Sequence, residues 1–132
     1  MSLESARRRA RLWLQQAQDD LRAARLLQAG GQPAQACFLA QQVGEKALKA
    51  LLAAQDRDLR SHSLTGLLRE LGEESAQLWQ RQARLLDKLY APTRYPDALG
   101  DELPADVFGP EDAVAAVQAA STLLDWAGEQ LI

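Results

Sequence analysis

Cys37-Phe38-Leu39-Ala40-Gln41-Gln42-Val43-Gly44-Glu45-Lys46-Ala47-Leu48-Lys49-Ala50 spaces its apolar residues at a helical period, which sets the chain among helical folds. It lies inside a longer helical pattern that opens at Pro33, whose φ suits a first helical turn, and runs to about Gln55 before the charged turn Asp56-Arg57-Asp58. One arc of that helix is small: Ala36, Ala40, Val43, Ala47, Ala50 and Ala54, side chains that let another helix approach closely. At roughly 100° per residue the opposite arc gathers Phe38, Gln41, Glu45, Leu48, Lys49 and Leu52. A Gln-Glu-Lys ladder at i, i+4, i+8 therefore runs among apolar neighbours. As plain helix surface, its Glu-to-Lys pair contributes about 0.2–0.5 kcal/mol; as a cluster, it is the first candidate site.

Working outward, a first helix is predicted from Leu3 to Ala29, with Trp13, Ala17, Leu21, Ala24 and Leu27 on one stripe and a stop at Gly30-Gly31. Asp20 interrupts that stripe, and is expected to cap a neighbouring helix or meet an Arg. A short third helix from about Ser63 to Leu71 carries Leu64, Leu67, Leu68 and Leu71 and ends at Gly72. The fourth, from about Glu74 to Ala91, places Leu78, Leu85, Leu86 and Leu89 inward, with Trp79, Ala83 and Tyr90 on its flank, and is stopped by Pro92. Thr93 to Gly109 shows no periodicity and reads as a long structureless loop of the kind that carries function. The fifth helix opens Pro110-Glu111-Asp112, with acids on its positive end, and turns Ala113, Val117, Ala120, Leu124, Ala127 and Leu131 inward. The expected architecture is one all-α domain over 1–132, an antiparallel up-and-down bundle of four long helices plus one short helix. Composition agrees, with 24 Ala and 24 Leu against 8 β-branched residues, too few for a sheet.

The net charge of −3 hides a split: residues 1–60 sum to +4 and 61–132 to −7, with 8 acids and no Lys or Arg from Tyr95 onward. That disfavours a uniformly cationic nucleic-acid binder and leaves Arg7-Arg8-Arg9-Ala10-Arg11 as a solvated face able to meet phosphate. No apolar run approaches the roughly 18 residues of a membrane span, and no apolar signal segment follows Met1. A cytoplasmic protein with no membrane association is expected. A single cysteine, Cys37, excludes an internal disulfide and, beside one histidine, a Cys/His zinc site; no metal and no cofactor is expected. The two apolar faces of the second helix exceed the needs of one core, which points to a homodimer.

Two further clusters carry chemistry. His62 stands between Ser61 and Ser63 at the start of the third helix, a capping or surface histidine by its setting. Arg57-Asp58-Leu59-Arg60-Ser61-His62 also places an Arg where it could hold phosphate while the imidazole acts as acid or base, as in a metal-free ribonuclease. With 12 Arg in 132 positions, such spacing arises by chance about one time in four. Tyr90-Ala91-Pro92-Thr93-Arg94-Tyr95-Pro96-Asp97 gives a stiff loop with a stacking surface and a phosphate-capable fork. Its plainer reading is a helix stop with Tyr95 on the bundle and Arg94 paired to an acid.

In order along the chain, Trp13-Leu14-Gln15-Gln16-Ala17-Gln18-Asp19-Asp20-Leu21, the Cys37 to Ala50 stretch, His62-Ser63-Leu64 and Thr93-Arg94-Tyr95-Pro96-Asp97 resemble the HEPN domain (higher eukaryotes and prokaryotes nucleotide-binding). The resemblance spans nearly the whole chain. It implies a helical bundle that commonly dimerises, often encoded beside a small nucleotidyltransferase in toxin–antitoxin pairs, with some members metal-independent ribonucleases that use Arg-x(4–6)-His at a dimer cleft. In those members the Arg and His belong to the fourth-helix side, where this chain offers Arg94-Tyr95-Pro96 and no His. Three functions follow. The first is a nucleotide- or partner-binding module acting with a nucleotidyltransferase through Gln41, Glu45, Lys49, His62, Arg94 and Tyr95. The second is an endoribonuclease, acting on RNA, with His62 as acid/base and Arg57 as phosphate clamp. The third is a helical scaffold dimer without ligand. Convergence of Glu45, His62 and Arg94 on one cleft separates the first two from the third.

Overall fold

In the computed structural model, residues 2–131 are described, and helices dominate them without any strand. The order is α1 (Leu3–Ala29), α2 (Pro33–Ala54), α3 (Leu64–Leu71), α4 (Glu73–Asp87), a 3₁₀ turn (Pro96–Leu99), α5 (Pro104–Val107) and α6 (Pro110–Gln130). The four long helices and the short α3 match the expected bundle. The 3₁₀ turn and α5 lie in the segment read as structureless. Ser2 caps α1 by accepting from Ser5 N at 3.1 Å, and Gly31, at φ 76°, supplies the left-handed residue that turns the chain into α2. Among the described residues no helix is long and apolar enough to cross a membrane.

α2 is the central element. Ala36, Ala40, Val43 and Ala47 of its small arc are fully buried; the helix packs on α1 and also meets α3, α4 and α6. Gly44 makes that second contact possible. A Cβ there would stand 2.5 Å from Leu64 Cδ2 and 2.9 Å from Leu86 Cδ1, with Leu123 Cδ2 at 3.5 Å. Three helices thus close on one backbone position. Both apolar faces of α2 are consumed inside the chain, so they leave no surplus for a dimer contact; exposed apolar side chains lie instead on α1 at Leu12 and Leu26, on α4 at Leu78 and Leu85, and on α6 at Val114.

α4 departs from expectation in two ways. It ends at Asp87 rather than Ala91, because Pro92 has no N–H and its ring clashes with the carbonyl four residues back, at Lys88. It also buries Ala83 and Leu86, with Trp79 tilted against Trp126 of α6 at 5.3 Å, and leaves Leu78 and Leu85 exposed. The helix lies at the edge of the bundle and buries only a narrow strip. Asp20, expected at a helix cap or an Arg, meets Lys46 Nζ at 2.6 Å across α1 and α2, and Gln16 Nε2 donates to its other oxygen at 3.0 Å. This pair locks the two longest helices in register.

Candidate functional site

α2 presents Gln41 and Glu45 one turn apart toward the segment between α2 and α3. Both are buried, with Gln41 at 0% and Glu45 at 4% exposure, and a buried polar group is tolerated only where it is hydrogen-bonded. Gln41 meets that need by donating from Nε2 to the His62 carbonyl at 3.2 Å and to Glu45 Oε1 at 3.3 Å, while its own Oε1 accepts from Gln42 at 2.8 Å. Glu45 also accepts from Lys49 Nζ at 3.0 Å on Oε2, and its Oε1 lies 3.1 Å from His62 Nδ1. Since a carboxylate oxygen accepts, the His62 ring turns its N–H inward at Nδ1 and presents Nε2 outward. The Lys49 ammonium lies 5.4 Å from the Trp13 ring centroid and its side chain is only 13% exposed, so Lys49 serves the buried face of the site.

The α3 N-terminus holds His62 from the other side. Ser63 Oγ accepts from Gly66 N, and the Asp87 carboxylate, at the end of α4, accepts from Leu64 N at 2.7 Å and Thr65 N at 3.2 Å. With its backbone fixed, the half-exposed His62 ring stacks on Tyr90 at 4.7 Å and 18°. Tyr90 in turn faces Arg94, whose guanidinium carbon stands 4.3 Å from the Phe38 centroid, 4.5 Å from Tyr90 and 4.8 Å from Tyr95. Arg94 Nε donates to the Tyr90 carbonyl at 2.9 Å, which orients the fork, and among the described residues no carboxylate pairs with it.

Glu45, His62 and Arg94 are therefore linked through Tyr90 into one cluster, with Gln41 and Lys49 beneath and Tyr95 at its exposed rim. Arg57 is not brought to His62. Its guanidinium binds the Glu70 carbonyl at 2.7 Å and the Glu70 carboxylate at 2.9 Å, at the far end of α3. Phe38 and Tyr90 complete the stack and Asp87 anchors it, although sequence reading did not place them in the site. Phe38 could have been found three residues before Gln41 on the same arc, and Tyr90 four before Arg94. Asp87 carries no sequence signal, since its partners are 22 and 23 residues away.

Among the described residues no group of three or more His, Cys, Asp or Glu could hold a metal ion. Burial pushes the Cys37 thiol up to about 11, with the Asp112 charge adding to it, so the one cysteine is a packing residue rather than a nucleophile.

A family model for the HEPN domain matches residues 10–131. The chain belongs to the HEPN family. Solved HEPN-fold neighbours agree. A crystal structure of TT1696 from Thermus thermophilus is 39% identical, with 92% of this chain and 97% of that chain covered and a TM-score of 0.86. ST0689, an archaeal HEPN homologue, is 36% identical over 93% and 98% of the two chains, with a TM-score of 0.80. No curated protein matches the chain. In this HEPN chain the four motif stretches are neighbours in space as well as ordered in sequence: Trp13 backs Lys49, Gln41 and Glu45 hold His62, and Arg94 closes on Phe38.

Proposed function

We propose that the chain is a nucleotide-binding HEPN module, a homodimer that acts beside a small nucleotidyltransferase in a toxin–antitoxin-type pair. The stack of His62, Tyr90 and Arg94 carries this reading. It offers a flat π-surface for a base, with half-exposed Tyr95 at its edge, and a guanidinium fork already oriented by the Tyr90 carbonyl and, among the described residues, unpaired with any acid, as phosphate recognition requires. Gln41, Glu45 and Lys49 act from below by fixing His62. Calorimetric titration of the purified protein with mononucleotides tests it. Arg94→Ala should weaken binding by about 1–3 kcal/mol, the scale of a lost charge-assisted hydrogen bond, and Lys49→Ala should weaken it indirectly by freeing the Glu45 carboxylate that holds His62. Unchanged binding in both would remove the site and leave the scaffold reading.

A second reading rests on the 3.1 Å contact between His62 and Glu45, since an imidazole oriented by a carboxylate is the arrangement of a general base. With Arg57 committed to Glu70, the expected outcome is no RNA cleavage above a His62→Ala control. Cleavage in the presence of chelator that depends on both His62 and Arg57 would reverse this order.

A further inference from the structure

Between α3 and α4 lies a cleft of about 270 Å³ whose wall carries Arg69, Arg84, Lys88, Gln80, Thr65 and Asp87. Elsewhere in the fold several cations rest on carboxylates, Arg9 on Asp56, Lys46 on Asp20, Lys49 on Glu45 and Arg57 on Glu70, while others, Arg94 among them, do not. In the cleft, none of Arg69, Arg84 and Lys88 is within ion-pair distance of a carboxylate among the described residues, even though Asp87 shares the wall. Asp87 is already used. Its two oxygens accept from Leu64 N, Thr65 N and Thr65 Oγ1, so its charge is directed at the positive end of α3.

The negative ends of α3 and α4 account for a cation being tolerated at Arg69 and at Arg84, each in a last turn. They do not account for three unpaired cations converging on one concave wall. From Gln80 to Asp87 the wall follows about 10 Å of α4, with Lys88 at its C-cap, longer than a single phosphate. An adjoining groove of about 700 Å³ shares Gln80, Arg84 and Lys88 and adds Arg81. Two planar guanidinium forks and a lysine point charge along a short track match linked phosphoryl oxygens better than a lone carboxylate.

We propose that the α3–α4 cleft is an oligophosphate-binding site, separate from the His62–Tyr90–Arg94 stack, that takes a short chain of linked phosphoryl groups. The inference does not depend on the nucleotide reading of the stack. Titration calorimetry with inorganic tripolyphosphate at constant ionic strength tests it on the full chain. Saturable binding is expected, at least tenfold tighter than orthophosphate, and weakened at least tenfold by Arg84→Gln combined with Lys88→Gln. Both side chains are exposed, so the double variant should keep the wild-type melting temperature; Arg69→Gln gives an independent third position and should weaken binding several-fold. Arg22→Gln, an exposed change on α1 outside both the cleft and the stack, should leave tripolyphosphate affinity within twofold. A nucleoside triphosphate that binds no tighter than tripolyphosphate makes the linked phosphates the recognised group; one that binds tighter and competes with it assigns the cleft to a nucleotide's phosphate tail. Absence of saturable tripolyphosphate binding, or equal affinity in the double variant, overturns the proposal.

Discussion

Glu45 is surrounded by donors from three directions, Gln41, Lys49 and His62, and its 4% exposure means that no water replaces them when the carboxylate is removed. Glu45→Ala leaves a lysine with 13% side-chain exposure uncompensated, and breaking one partner of such a pair costs about 3–5 kcal/mol. Urea denaturation should read a loss near the lower figure, because Lys49 can still face Trp13; a loss below about 1 kcal/mol would show that the ladder is surface after all. The ladder's spacing was legible in the sequence, since a helical period gives the angle of each side chain. Its depth was not, because the same angle is exposed or buried according to whether α2 lies at the edge or the centre of the bundle. Cys37 gives a second test at this scale. Its folded pKa of about 11 lies above the ordinary value of 9.0, so the stability that comes from keeping the thiol protonated is complete below pH 9 and is lost as pH rises toward 11. The stability difference between wild type and Cys37→Ala should shrink by about 2–3 kcal/mol over that window in denaturant titrations. A constant difference would mean that the thiol titrates alike in both states.

At the scale of the helix, Gly44 carries more of the architecture than its neighbours on α2. Gly44→Ala gains up to about 1 kcal/mol of helix propensity but sets a methyl 2.5 Å from Leu64 Cδ2 and 2.9 Å from Leu86 Cδ1, and overpacking costs about 1–3 kcal/mol. A net destabilisation of about 1–2 kcal/mol is expected in chemical denaturation, and because Leu64 follows His62 by two residues, the His62–Tyr90 stack should loosen as well, visible as a shifted His62 ring resonance. Equal or raised stability would mean that α3 and α4 yield without cost. The glycine itself looks in sequence like a helix-weakening residue, since the atoms that need its missing Cβ come from three other helices. α1, α2 and α6 were legible to within a residue or two because each carries a strong start or stop, Pro33 and Pro110 at first turns and Gly31 at a left-handed turn. The end of α4 was misplaced by a turn because a proline acts on the carbonyl four residues before it as well as on its immediate neighbour. That shift releases Lys88 to Tyr95 from the helix, where Thr93 Oγ1 and Arg94 Nε bond the Leu89 and Tyr90 carbonyls in place of helical N–H groups. The site's stacked half is made by this early stop.

Across the whole molecule, the exposed apolar side chains include two outward pairs on long helices, Leu12 with Leu26 on α1 and Leu78 with Leu85 on α4, beside single positions such as Leu3, Leu103 and Val114. The members of each pair are 14 and 7 residues apart, so each shares a helix face, and apolar stripes of this kind usually mark an interface. The dimer expected of this chain therefore cannot be built on α2, whose two faces are spent internally, and these stripes are the apolar faces on which it is expected to form. Multi-angle light scattering over a hundredfold concentration range should give twice the 14.5 kDa chain mass at its upper end. Replacing one stripe with Leu12→Glu and Leu26→Glu, and separately the other with Leu78→Glu and Leu85→Glu, should return the monomer mass in one case and leave the dimer in the other, because a twofold contact repeats one patch rather than using two. The four leucines are 37–75% exposed, so none of these changes opens the core, and circular dichroism should stay that of the wild-type bundle. A 14.5 kDa species at every concentration removes the dimer. A dimer that survives both double variants would place the contact on the polar surface, where the acidic run after Tyr95 and the Arg-rich start of α1 are the complementary charges of opposite sign; dissociation by salt would then separate that arrangement from an apolar one.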